Sequence, residues 1–162
     1  AVSAGFERAL DAVLDMRAKE GSRLETVLAS MLAEIERLAE VAEACPARQP
    51  EAVRSRLERQ VRELLSASTS FDPERLHQEA ALIASRADVR EEIDRLRAHA
   101  VAARELIAKG GAIGRRLDFL AQEFGREANT LTAKANDSAL SRIGLELKTV
   151  VEQWREQVQN VE

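Results

Sequence analysis

The stretch GRRLDFLAQEFGREANTLTAK, residues 114–134, decides the fold class, because its apolar residues recur every three or four positions. At about 100° of rotation per residue, these residues share one face of a helix. They are Leu117, Leu120, Ala121, Phe124, Ala128 and Leu131. The spacing therefore predicts an amphipathic α-helix that buries this stripe against other helices.

The polar residues of the same stretch form two further bands. One band contains Arg115, Asp118, Gln122, Arg126 and Asn129, and the other contains Arg116, Glu123, Glu127, Thr130 and Lys134. Phe119 lies between the two bands, where burial in its own bundle is least expected. One interpretation is a solvated face with i,i+4 ion pairs and a subunit contact at Phe119. The other is a surface prepared for a ligand, which the poor helix formers Asp118 and Asn129 favour.

A second polar face follows residue 88. Its members fall within about 100° of arc on a helix. They are Asp88, Glu91, Glu92, Arg95 and His99, whereas Arg90, Arg97 and Arg104 lie on a different side. A carboxylate cluster with an arginine and a histidine is suited to binding a hard divalent cation or to proton transfer. The alternative is a salt-bridge ladder in which His99 packs at the rim.

The first 45 residues carry a heptad-like seam of apolar residues from Phe6 to Cys45. We expect a long, coiled-coil-like helix that is able to pack against another chain. Prolines at 46 and 50 end this segment, and a second helix is expected over residues 51–66.

The remaining chain also has helical spacing. Asp72-Pro73 predicts a helix start, and Asp88 with Glu91 either starts a new helix or marks a bend in a long one. Gly110-Gly111 and Asn136-Asp137-Ser138 separate the last helices. The predicted fold is an all-α bundle of five or six helices, with residues 1–45 as a long arm and residues 51–162 as the bundle.

Composition limits the class of protein. The 162 residues are 45% hydrophobic, 32% charged and only 3% aromatic, which is typical of a globular helical chain. The net charge of −4 argues against a protein that coats nucleic acid indiscriminately, although residues 86–116 hold eight basic and five acidic residues. One cysteine excludes an internal disulfide, and we expect no membrane span, no signal peptide and a cytoplasmic location.

Three runs of the sequence strongly resemble the C-terminal region of the bacterial YicC/YloC family. They are RLHQEAALIASRADVREEIDRLRAHA, GRRLDFLAQEFGREANTLTAK and LELKTVVEQWREQVQNVE. The upstream run RAKEGSRLETVL fits as well, so that the likeness covers nearly the whole chain. The N-terminal domain of the family opens with a Met-Thr-Gly-Phe type motif, which no stretch here matches. We therefore expect residues 1–162 to be the C-terminal helical domain of a longer protein.

The resemblance implies a metal-dependent endoribonuclease, a hydrolase of RNA turnover that uses manganese or magnesium. It also implies RNA as substrate, a ring-like homo-oligomer and other RNA-decay proteins as partners. At the matching positions we expect catalytic roles for Glu92, Arg95, His99, Asp118, Glu123 and Glu127. We expect metal ligands among Glu79, Glu92 and Glu123. RNA contacts are expected from Arg75, Arg115, Arg116, Phe119, Arg126, Asn129 and Lys134.

The family pattern is broken at two positions of residues 114–134. Gly125 stands where an asparagine is expected, and Ala128 stands where a small hydroxyl residue is common. Two other classes of function remain open beside the nuclease: a helical scaffold without chemistry, and an RNA-binding module that does not cleave. We expect the 162-residue chain alone to have weak or no nuclease activity if the site spans both domains.

Overall fold

The computed structural model describes residues 2–48, 50–67, 78, 88–135 and 137–161. Five α-helices lie in these ranges, and no strand does. They are α1 (Val2–Glu43), α2 (Pro50–Ala67), α3 (Arg90–Lys109), α4 (Gly114–Lys134) and α5 (Ser138–Val158), with a 3-10 turn at Pro46–Arg48 between the first two. The predicted all-α class and the long first helix are confirmed. No helix in the described part of the chain is both long enough and apolar enough to cross a membrane.

Four of these helices form an antiparallel bundle. α1 packs against α3 and α5, and α4 packs against the same two helices. The ion pairs Arg97–Glu43 and Arg104–Glu36 show that α3 runs back along α1, because the residue numbers on the two helices change in opposite directions. Short connections then reverse the chain into α4 and α5. The result is an up-down-up-down bundle in which α3 and α4 are neighbours along their length.

The centre of the bundle is aromatic. Trp154 of α5 and Phe124 of α4 are both fully buried, and their ring centroids are 5.4 Å apart in an edge-to-face arrangement. All six apolar residues predicted for the α4 stripe are buried. In α5 Val151 is buried, whereas its neighbour Val150 is only partly buried against the core. The four-residue step from Leu147 to Val151 keeps the stripe on one face of the helix.

The first helix has two parts with different surroundings. From Leu28 onward its apolar residues are core residues of the bundle, whereas every side chain from Gly5 to Arg23 is exposed. Arg17, Glu20 and Gly21 line a pocket together with residues of the bundle. The exposed residues before Arg17 extend further, for about 18 Å at 1.5 Å per residue. The second half of α1 therefore supplies one helix of the bundle. The assignment of residues 1–162 as the C-terminal helical domain of a longer protein, like the coiled-coil pairing of the arm, stays a prediction.

Local chemistry explains where the last three helices begin and end. The Asp88 carboxylate accepts the N–H of Arg90 at 2.9 Å, so α3 begins as a new helix at Arg90. Gly110 and Gly111 have positive φ angles of 65° and 81°, which glycine tolerates without a steric penalty, and they end α3. Asp137 caps α5 by accepting the N–H groups of Ala139 and Leu140. The helix start predicted at Asp72-Pro73 lies outside the described residues.

Candidate active site

The interface between α3 and α4 contains two carboxylates that are almost completely buried. Glu92 of α3 is 3% exposed and Glu127 of α4 is 2% exposed. A buried carboxylate is strongly disfavoured unless a cation or several hydrogen-bond donors accompany it. The partners of these two residues therefore define the chemistry of the interface.

Arg95 is the partner of Glu127. Its Nη1 donates to Oε1 of Glu127 at 3.3 Å across the interface, and its Nη2 donates to Oε1 of Glu91 at 2.5 Å on its own helix. The pKa of the Arg95 guanidinium is raised above its ordinary value, first by the hydrogen bond to Glu127 and then by the charge of Glu91. Arg95 is therefore a permanent cation that joins a buried carboxylate to an exposed one.

Lys134 is the partner of Glu92. Its Nζ lies 2.7 Å from Oε1 of Glu92 and donates to the backbone carbonyl of Asp88 at 3.1 Å. The contact ties the last turn of α4 to the first turn of α3. Oε2 of Glu92 is shielded from solvent and has no hydrogen-bond partner within the described ranges.

His99 lies one turn after Arg95 on α3 and faces Glu123 and Glu127 of α4. A ring nitrogen of His99 and one carboxylate oxygen each of Glu123 and Glu127 lie within 4.8 Å of one another. His99 and Glu123 are half-buried, and Glu127 is buried. The imidazole ring packs edge-to-face on Phe124 with a centroid distance of 5.9 Å. Its Nε2 is shielded from solvent and accepts or donates no hydrogen bond among the residues described.

These donor types suit a divalent cation. Carboxylate oxygens are ligands for magnesium and manganese, and imidazole adds preference for a transition metal such as manganese. The residues present thus fit the divalent cation that the family resemblance implied. Glu123 was an expected ligand, and the structure adds His99 and Glu127 beside it. Glu92, paired with Lys134, is not in this cluster of three, and Glu79 lies outside the described residues.

A basic pocket lies at the other end of the α3–α4 hairpin. Its volume is about 430 Å³, and its polar wall is formed by Lys109, Arg115 and Arg116 with one acidic residue, Glu105. The apolar wall is formed by Ala102, Leu106, Leu120 and Phe119. Phe119 is 60% exposed, as its position between the two polar bands predicted. The pocket combines positive charge with an open aromatic face.

The other predicted site residues do not join either cluster. Asp118 accepts a hydrogen bond from the Gln122 amide at 2.9 Å, and it lies about 180° around α4 from Glu127. Arg126 and Asn129 are exposed. Arg75, like Glu79, falls outside the described residues, so its predicted contact with RNA has no structural counterpart here.

Sequence spacing alone missed two features of this region. The spacing placed Glu92 and Glu127 on polar faces, but in the structure the neighbouring helix covers each of them. The periodicity of one helix does not show which other helix packs against it. Lys109 was not singled out, although the pair Gly110-Gly111 directly after it was an available signal. A reversal of the chain at these glycines brings Lys109 beside Arg115 and Arg116.

Comparison with known proteins places the chain in a family. A family model described as "Endoribonuclease YicC-like, C-terminal" matches residues 41–162. The chain is 36% identical over 157 residues to a protein of Haemophilus influenzae and 35% identical over 156 residues to one of Clostridioides difficile, each named "Probable endoribonuclease YicC". These alignments cover 97% and 96% of the chain but 54% and 53% of the relatives. The chain thus spans about half the length of the curated relatives that it matches. The family match extends over most of the chain, and the chain belongs to the YicC-like endoribonuclease family.

Proposed function

We propose that the chain is the helical part of an endoribonuclease that cleaves RNA with the help of a divalent cation. The observation that carries the proposal is the cluster of His99, Glu123 and Glu127 on the α3–α4 hairpin. A basic pocket with an exposed phenylalanine lies on the same hairpin. The names of the two relatives support this reading, because both are called probable endoribonucleases.

The spacing of the two features along α4 suits one bound strand. Arg116 precedes Glu123 by seven residues and shares its side of the helix, which corresponds to about 10 Å along the axis. Lys109, Arg115 and Arg116 supply cations for backbone phosphates, and Phe119 supplies a ring on which an unpaired base stacks. Single-stranded RNA, whose bases are free to stack, is therefore the proposed substrate class. Arg126 and Asn129 are exposed on the other polar band of α4, and their proposed RNA contacts rest on the family resemblance alone.

Manganese or magnesium is the proposed cofactor. When bound, the cation supplies positive charge beside the phosphate that is attacked. We assign His99 to holding the cation and not to proton transfer, because its Nε2 is shielded from the water with which an acid–base group exchanges protons. Glu123 and Glu127 complete the donor set, and Arg95 adds a guanidinium next to it. Catalytic roles for Glu92 and Asp118 rest on the family resemblance alone.

Self-association through the exposed first part of α1 (Gly5–Arg23) is part of the proposal. Phe6, Leu10 and Leu14 lie on one side of the arm and are 69%, 48% and 56% exposed. An apolar stripe of this kind is suited to packing against the same stripe of a second copy. Other RNA-decay proteins remain expected partners from the resemblance.

The proposal is tested with the purified 162-residue chain and with the complete product of its gene. Each is incubated with end-labelled single-stranded RNA in manganese, in magnesium and in EDTA, and the products are separated by size. We expect internal cuts by the complete product with manganese and none with EDTA. A complete product that binds RNA with a steep salt dependence but leaves it uncut would favour an RNA-binding module. A product that neither binds nor cuts would favour a scaffold.

A further inference from the structure

The position of Arg95 suggests more than a structural salt bridge. Glu127 is 2% exposed, and among the described residues the guanidinium of Arg95 is the cation that lies within hydrogen-bonding distance of its carboxylate. Without a counter-charge, a carboxylate in this environment would be strongly disfavoured. Arg95 thus neutralises Glu127 in this structure.

The same carboxylate belongs to the cluster with His99 and Glu123. A carboxylate oxygen of Glu127 lies within 4.8 Å of a donor atom of each of these two residues. Within this cluster the Nε2 of His99 is shielded from solvent and has no hydrogen-bond partner in the described parts of the chain, which is what a ligand position requires. Two different cations are therefore able to neutralise Glu127: the Arg95 guanidinium, and a divalent ion bound together with His99 and Glu123.

We propose that a divalent cation exchanges with Arg95 at the carboxylate of Glu127. The cation, bound by His99, Glu123 and Glu127, displaces the Arg95 guanidinium from Glu127. The freed guanidinium then binds a phosphate of the RNA. This last step rests on the proposed function, whereas the exchange itself does not. No covalent bond changes in it.

Electrostatics supports competition between the two cations. A guanidinium and a divalent ion on one carboxylate would lie only a few ångströms apart, and like charges at that distance repel each other even near the protein surface. Arg95 would also keep one of its two carboxylate partners, Glu91, after release from Glu127. Its side chain is 48% exposed, and Nη2 is held by the exposed Glu91 at 2.5 Å. Release from Glu127 thus leaves the guanidinium at the surface, still tethered to α3.

The exchange is tested by measuring manganese binding to the 162-residue chain in the absence of RNA, by calorimetry and by the EPR signal of free manganese. Arg95→Gln removes the competing cation. We expect it to bind manganese about tenfold more tightly than the wild type, within the usual range of coupling between two ligands. Arg104→Gln is the matched control, because it breaks another arginine–glutamate pair of α3 (Arg104–Glu36, 2.6 Å) on a different face of the helix from His99. Its manganese affinity should equal that of the wild type.

A second measurement keeps the test valid if Arg95→Gln folds poorly. In the wild type, the side-chain Nε–H resonance of Arg95 should shift on addition of diamagnetic magnesium, and this shift should be lost in Glu127→Gln. Unchanged or weaker manganese binding by Arg95→Gln, or an Arg95 resonance that ignores the cation, would overturn the exchange. Because neither measurement involves RNA, the exchange is able to fail while cleavage by the complete gene product persists, and the reverse holds as well.

Discussion

Arg95 and Glu127 join α3 to α4 through a 3.3 Å contact between Nη1 and Oε1, in which the arginine is half-exposed and the carboxylate is buried. One turn away on α3 and two turns away on α4, Lys134 makes a similar contact with the buried Glu92. Two buried carboxylates, each with one cation at the rim, thus face the same interface. Such an arrangement is costly for stability unless each carboxylate keeps its cation.

The Lys134–Glu92 pair predicts that the protein loses stability when the lysine is removed. Lys134→Met removes the cation and leaves Glu92 buried without a counter-charge, so we expect the free energy of unfolding to fall by roughly 1–3 kcal/mol. Lys148→Met is the control, because Lys148 is exposed on α5. Urea unfolding followed by circular dichroism measures both variants. Equal stability of the two would show that Glu92 does not depend on Lys134.

Two glycines of the bundle predict opposite effects of the same substitution. A Cβ built on Gly125 of α4 meets nothing within 4 Å, so Gly125→Ala should raise the free energy of unfolding by about 0.5–1 kcal/mol through helix propensity. A Cβ on Gly144 of α5 would lie 2.5 Å from Oγ1 and 3.2 Å from Cα of Thr132, where the helices pack closely. Gly144→Ala should therefore destabilise the protein. Thermal unfolding of both variants checks the pair, and a stabilising Gly144→Ala would contradict the packing described.

The basic pocket predicts two separable contributions to RNA binding. Phe119→Ala should weaken binding of single-stranded RNA by about 1–3 kcal/mol with an unchanged salt dependence, because stacking carries no charge. Arg116→Gln should reduce the slope of log affinity against log salt by about 0.7, the value for one phosphate contact on a single strand. Fluorescence anisotropy at several salt concentrations measures both. Leu145→Ala, at an exposed leucine of α5, is the control for Phe119. If Phe119→Ala binds as well as this control, the ring is not a stacking platform.

The exposed arm predicts self-association that depends on apolar contacts. Replacing Leu10 and Leu14 together by lysine should lower the mass of the particle measured by light scattering, because the stripe would no longer exclude water. Val101→Lys changes an exposed apolar residue of α3 and should leave the mass unchanged. A wild-type chain that stays monomeric at high concentration would contradict an association through the arm.

Much of the fold follows from sequence spacing, because the α4 stripe, the Gly110-Gly111 end of α3 and the Asp137 cap are local features. The site follows from it only in part. The sequence identified Arg95, His99 and Glu123 as candidates, but the burial of Glu127 depends on how α3 covers α4. The ion pairs Arg97–Glu43 and Arg104–Glu36 join residues 54 and 68 positions apart, which no local pattern reveals.

Cleavage of single-stranded RNA by the complete gene product carrying His99→Gln and Glu123→Gln tests the central claim most directly. The matched control is Glu152→Gln, at an exposed glutamate of α5. Circular dichroism first establishes that all the proteins are folded, and initial cleavage rates are then compared in manganese. We predict that the double variant loses at least about a hundredfold in rate, the usual size of one lost electrostatic or acid–base contribution, while the control keeps the wild-type rate. A folded double variant that cuts RNA as fast as the wild type would contradict the assignment of the site.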